Sequence, residues 1–94
     1  MTKEEIHSII KQYLEQYPIS KIGVFGSFAR NEHDHDSDID ILVTYDEPVN
    51  LLTLARMHRE LSELLGREVD IVSEKYLHPR IKAAVERDLE IIAA

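Results

Sequence analysis

The sequence predicts an α/β fold, a small mixed β-sheet with flanking helices. Three observations carry this prediction. A capping signal near the start is followed by apolar residues at helical spacing. Three short apolar, β-branched runs follow at wide intervals, and a second helix-patterned stretch separates the last two of them. Ninety-four residues leave room for one core, so residues 1–94 read as one domain, and 44% hydrophobic content is enough to build that core.

Thr2-x-x-Glu5 is a capping box, which starts a helix at residue 3. Ile6, Ile9, Ile10, Tyr13, Leu14 and Tyr17 line one face of it, and Pro18 ends it. Lys21 to Phe25 reads as a buried first strand, broken by Gly26-Ser27, after which Phe28-Ala29-Arg30 begins a short helix. Asn31 to Ser37 is a polar loop. Asp38 to Tyr45 is the second strand, with Ile39, Ile41 and Val43 on one face and Asp38, Asp40 and Leu42 on the other.

Asn50 caps a third helix whose apolar side is expected to carry Leu51, Leu54, Ala55, His58, Leu61 and Leu65, with Gly66 at its C-terminal cap. Leu51, Leu52, Met57 and Leu64 widen that side, which suits core packing or a protein-contact surface. Arg67 to Ser73 is the third strand. His78 reads as a cap and Pro79 as the first turn of a last helix, with Ile81, Ala84 and Val85 on its apolar side. Leu89 to Ile92 fits a short fourth strand or a helical end equally well.

No cysteine is present, so disulfides and thiolate metal sites are excluded. The formal net charge of −7 argues against a surface that binds nucleic acid by neutralising phosphates, yet leaves open a nucleotide that arrives with divalent cations. The charged opening Met1-Thr2-Lys3-Glu4-Glu5 has no apolar signal core, and no run is long enough to span a bilayer. A cytoplasmic protein with no membrane partner is expected.

The most informative feature is Gly26-Ser27, ten residues, then Asp38-Ile39-Asp40. Residues two apart on a strand lie roughly 6.5–7 Å apart and point the same way, so Asp38 and Asp40 can converge on cations above one face. Asp70, inside the third strand, adds a third acid. Two carboxylates 4 Å apart repel by about 4 kcal/mol at an effective dielectric of 20, so such a trio is costly without a cation. All its donors are hard oxygens, which points to Mg²⁺ or Mn²⁺ and to a two-metal site. Gly26 permits a tight turn close to a ligand, and the amides after it, with the Ser27 hydroxyl, suit a triphosphate. Arg30 either steadies a phosphate or pairs with Glu32 or Asp34. The tract His33-Asp34-His35-Asp36 reads as a solvated loop rather than a metal site.

Gly26-Ser27-Phe28-Ala29-Arg30, Ser37-Asp38-Ile39-Asp40-Ile41-Leu42-Val43 and Glu68-Val69-Asp70-Ile71-Val72 together resemble the minimal nucleotidyltransferases (MNT) of the DNA polymerase β-like superfamily. The likeness covers residues 20–73 by motif and the whole chain by element order. It implies the polymerase β-like core, in the order α-β-α-β-α-β-α with room for a short final strand. It implies that Gly26 and Ser27 hold the triphosphate of ATP, that Asp38 and Asp40 bind both Mg²⁺ ions, and that Asp70 supports the metal nearest the nucleophile. A hydroxyl would attack the α-phosphorus in line and pyrophosphate would leave. Family members of this size pair, as antitoxins, with a HEPN-type toxin and transfer AMP to one of its tyrosine hydroxyls. Asn31 departs from the glycine usual in relatives, and asparagine tolerates the left-handed backbone that position implies. Larger relatives add a helical substrate-binding domain; its absence here favours a macromolecular acceptor. Two rivals remain: a non-catalytic subunit that neutralises its partner by occlusion, and a small-molecule transferase of the antibiotic-modifying kind.

Overall fold

The computed structural model describes residues 1–31 and 38–94. In chain order the elements are α1 (Lys3–Leu14), β1 (Ile19–Phe25), α2 (Gly26–Ala29), β2 (Ile39–Tyr45), α3 (Leu51–Leu65), β3 (Val69–Ser73), a 3₁₀ turn (Glu74–Tyr76), α4 (Pro79–Asp88) and β4 (Glu90–Ala93). The strands form one mixed sheet in the order β3-β2-β1-β4. β1 runs antiparallel to both β2 and β4, while β2 and β3 are parallel, joined by the α3 crossover.

Local chemistry sets the helix ends. Thr2 and Glu5 form the expected reciprocal box, with Glu5 N–H donating to Thr2 Oγ1 and Thr2 N–H to Glu5 Oε1, each at 3.1 Å. Asn50 Oδ1 accepts from Thr53 N–H at 2.8 Å, and Gly66 closes α3 in the left-handed region at φ 66°. His78 caps α4 through Nδ1, which accepts from Arg80 N–H at 3.1 Å, and Pro79 stands in the first turn.

One face of the sheet carries the core. Ile22, Val24, Ile39, Ile41, Val43 and Val69 pack there against Ile6, Ile10 and Leu14 of α1 and Met57, Leu61 and Leu65 of α3. Strand alternation sends Lys21, Gly23, Asp40, Leu42, Thr44, Asp70 and Val72 to the opposite face. There the end of α4 lies against β1, with Leu89 over Gly23.

Several expectations need correction. β1 starts at Ile19, two residues before Lys21; β2 starts at Ile39, with Asp38 just before it; β3 starts at Val69 rather than Arg67. The inward stripe of α3 runs Leu54, Met57, Leu61, Leu65. Met57 takes the place expected for His58, which is exposed, with Nε2 3.3 Å from Glu68 Oε2. Leu51 and Ala55 face solvent as well. Of the α4 residues expected inside, Val85 alone is buried. Leu89 to Ile92 resolves towards a strand: β4 pairs with β1, so the extended backbone of this segment is hydrogen-bonded as a sheet edge. The loop Asn31–Ser37 is described only at Asn31, and the His33–Asp36 tract lies outside the described residues.

Candidate active site

β1 delivers the chain into the Gly26 turn, where φ is +75°. A side chain is excluded there for a second reason. A Cβ on Gly26 would fall 2.2 Å from Asp40 Oδ2, so the turn lies directly against the carboxylate of β2. Ser27 follows, partly buried, as the second residue of α2. That helix is only four residues long. Whatever it offers an anion comes from individual N–H groups rather than a summed dipole.

Asp40 and Asp70 are register partners across the parallel β2–β3 pair. Adjacent strands lie about 4.8 Å apart, so the two side chains rise side by side from one face. Asp38 is exposed at the head of β2, two residues from Asp40. Burial pushes the Asp40 carboxyl above its ordinary range, and the negative charges of Asp70 and Asp38 push it further. Arg30 offsets part of this with its positive charge.

The structure thus brings Gly26, Asp38, Asp40 and Asp70 to one end of the face opposite the core, with Ser27 beside the turn. Their oxygens suit a hard cation, and the crowding of charge on Asp40 is what such a cation would offset. Among the described residues no three His, Cys, Asp or Glu side chains already close a metal ligand set. Mg²⁺ commonly takes one or two carboxylates and completes its shell with substrate phosphates and water, so the residues present fit it.

Arg30 caps the end of α2, and its Nη1 donates to Asp88 Oδ2 at 2.5 Å. Its expected partners, Glu32 and Asp34, lie outside the described residues. Asn31 adopts φ 62°, the left-handed backbone expected of it. Two contributors had no sequence signal. Asp88 is a single acid 58 residues beyond Arg30. Lys3 donates from Nζ to the Ala29 carbonyl at 3.2 Å and pairs with Glu90 at 3.1 Å, which fastens the end of α2 to α1 and β4. A separate cleft of about 450 Å³ opens at the far ends of β2 and β3, lined by Tyr45, Val49, Leu54, Ile71 and Tyr76. It does not reach the acids.

The pattern of the nucleotidyltransferase domain family matches residues 6–92, nearly the whole chain. The chain belongs to that family. This nucleotidyltransferase is 40% identical over 93 residues to MntA, a protein adenylyltransferase of Thermococcus cleftensis, with 95% of the chain and 94% of the relative covered. A solved structure provisionally described as a minimal nucleotidyltransferase superimposes with a TM-score of 0.80 at 38% identity, covering 96% of this chain and 95% of the other. The MNT antitoxin fold also appears in the Shewanella oneidensis complex with a tri-AMPylated HEPN toxin. That match has a TM-score of 0.78 at 18% identity, over 97% of this chain and 71% of the other, and shows shared fold alone. The nucleotidyltransferase is a mixed α/β enzyme domain of the minimal kind, as its motifs imply. Among the described residues no helix is long and apolar enough to cross a membrane.

Proposed function

We propose that this nucleotidyltransferase uses Mg²⁺ and ATP to transfer AMP to a tyrosine hydroxyl of a HEPN-type toxin, and so acts as its antitoxin. The observation that carries the reading is the register match of Asp40 with Asp70, with the Gly26 turn packed against Asp40. A nucleotide held on that turn has its phosphates beside the acids. Gly26 and Ser27 bind and orient the triphosphate. Asp38, Asp40 and Asp70 hold two Mg²⁺ ions, which when bound neutralise the phosphates and stabilise the charge that develops on transfer. The acceptor oxygen forms a bond to the α-phosphorus, the α–β bridging bond breaks, pyrophosphate leaves, and the hydroxyl proton passes to solvent. Leu51 and Leu52, 80% and 81% exposed at the start of α3 and at the end of the sheet away from the acids, offer an apolar patch for a protein partner.

Intact-mass spectrometry of the protein with the partner that copurifies from its own host, before and after Mg-ATP, tests this. Adenylyl increments on the partner are expected, and none with Asp38→Asn. A partner that arrives unmodified and stays unmodified would replace transfer by occlusion. Asp40→Asn is expected to abolish transfer while unfolding in urea no earlier than wild type when both are stripped of cations. The wild-type carboxylate is disfavoured by its surroundings at neutral pH, and the amide removes that cost.

A further inference from the structure

The Arg30–Asp88 contact joins the Gly26 turn to an element that the reading above leaves unused. We propose that Asp88 is a positioning residue, whose carboxylate holds the Arg30 guanidinium where it binds the triphosphate of ATP. This rests on the nucleotidyl-transfer reading.

Arg30 ends the four-residue α2, and its side chain is 43% exposed. Fixing such a side chain costs about 2 kcal/mol of rotamer entropy, so a guanidinium that must meet a ligand in one place gains from a fixed partner. Asp88 supplies one at 2.5 Å and is itself more shielded, at 22%. Its place is electrostatically odd. Asp88 is the last residue of α4, where the exposed carbonyls make a negative side chain unfavourable, and a cation beside it removes the conflict.

Asp88 is also held in place from both sides. Val85, one turn earlier, is buried. Leu89, the next residue, puts its Cδ1 2.6 Å from where a Cβ of Gly23 would stand, so the bare backbone of Gly23 is its seat on β1. Glu90 then enters the sheet opposite Val24 and pairs with Lys3. A chain of contacts therefore runs from the middle of β1 through Leu89 and Asp88 to Arg30. At its end Arg30 is tied to the turn that packs on Asp40, since its backbone N–H donates to the Gly26 carbonyl at 3.1 Å. A guanidinium fork matches phosphate oxygens as well as carboxylates.

Calorimetric titration of Mg-ATP into wild type, Asp88→Asn, Asp88→Glu, Arg30→Gln and the Arg30→Gln/Asp88→Asn double variant tests the assignment without any acceptor. Each of Asp88→Asn and Arg30→Gln is expected to weaken binding about tenfold, the size of one lost charge-assisted bond. Asp88→Glu is expected to recover part of the loss. The double variant is expected to bind no worse than Arg30→Gln alone, because Asp88 acts only through Arg30. An exposed pair contributes about 0–1 kcal/mol to stability, so all variants are expected to fold, with urea midpoints near wild type. Wild-type affinity in Asp88→Asn, or losses that add in the double variant, would overturn the positioning role and leave the proposed function standing. Wild-type protein that binds no Mg-ATP would sink both.

Discussion

Gly26 meets two constraints that separate experimentally. Its φ of +75° strains any residue with a Cβ, and its hydrogen faces Asp40 Oδ2 where a methyl would stand at 2.2 Å. Gly66 has the same backbone handedness, but a methyl placed there would meet no atom within 4 Å. Gly66→Ala is therefore expected to cost about 1–2 kcal/mol of stability through backbone strain alone and to leave transfer untouched. Gly26→Ala is expected to cost at least as much and to lower transfer by about a hundredfold or more, because Asp40 must move. Urea unfolding and single-turnover assays on the two variants decide it, and equal activity in both would remove the Gly26–Asp40 contact from the mechanism. At this scale the grouping of residues was legible where chemistry is written as spacing: the Gly26 turn lies against Asp40, and Asp70 is the register partner of Asp40. Asp88 was not, because a single acid at the end of a polar helix carries no spacing signal until the fold brings it to Arg30.

Helix starts were legible for a similar reason, since caps are bonds between residues two or three apart. Faces and edges were less so. The α3 stripe shifted from His58 to Met57 because both fit helical spacing, and packing against the sheet chose the methionine. β4 has four residues, too few for a period to tell strand from helix. Where α1, α2 and β4 meet, His7 lies edge-on to Phe28 at 5.9 Å, with Nε2 buried and lacking a hydrogen-bond partner among the described residues. Glu90 Oε2 is 3.7 Å away. Burial pulls the His7 pKa below its ordinary value of 6.5, more than Glu90 and Glu4 raise it, and Lys3 lowers it further. The unfolded chain thus takes up the proton first. Stability is full above about pH 6.5 and is lost as pH falls through and below that value. His7→Gln is expected to flatten this dependence, so the gap in urea midpoint between variant and wild type changes from pH 7.5 to pH 5.5. A constant gap would show that His7 does not titrate with folding.

Across the whole molecule, the alternation of helices and strands gave the class but not the sheet order. The 15-residue α3 makes the crossover between the neighbouring parallel strands β2 and β3, while the four-residue α2 joins an antiparallel pair. That topology matters for function, because it takes the site's residues from three strands that meet only when the chain is folded. The Gly26 turn comes from the end of β1, Asp40 from β2 with Asp38 just before it, and Asp70 from β3. Unfolded chains, with these groups dispersed and a net charge of −7, offer a triphosphate nothing comparable. Mg-ATP should therefore bind the native state alone and stabilise it by mass action. At a hundred times its dissociation constant the gain is about 2.7 kcal/mol. A domain of this size shifts its Tm by roughly 4–8 °C per kcal/mol, so a rise of more than about 10 °C is expected. Chelating the metal, or replacing Asp38 with asparagine, is expected to remove most of the rise, since the acids repel a bare triphosphate. Thermal melts with ATP, with Mg²⁺, with both, and with both plus excess chelator read this directly. An equal rise with ATP and chelator would mean that the triphosphate binds without the acids, and the metal-bridged site would have to be abandoned.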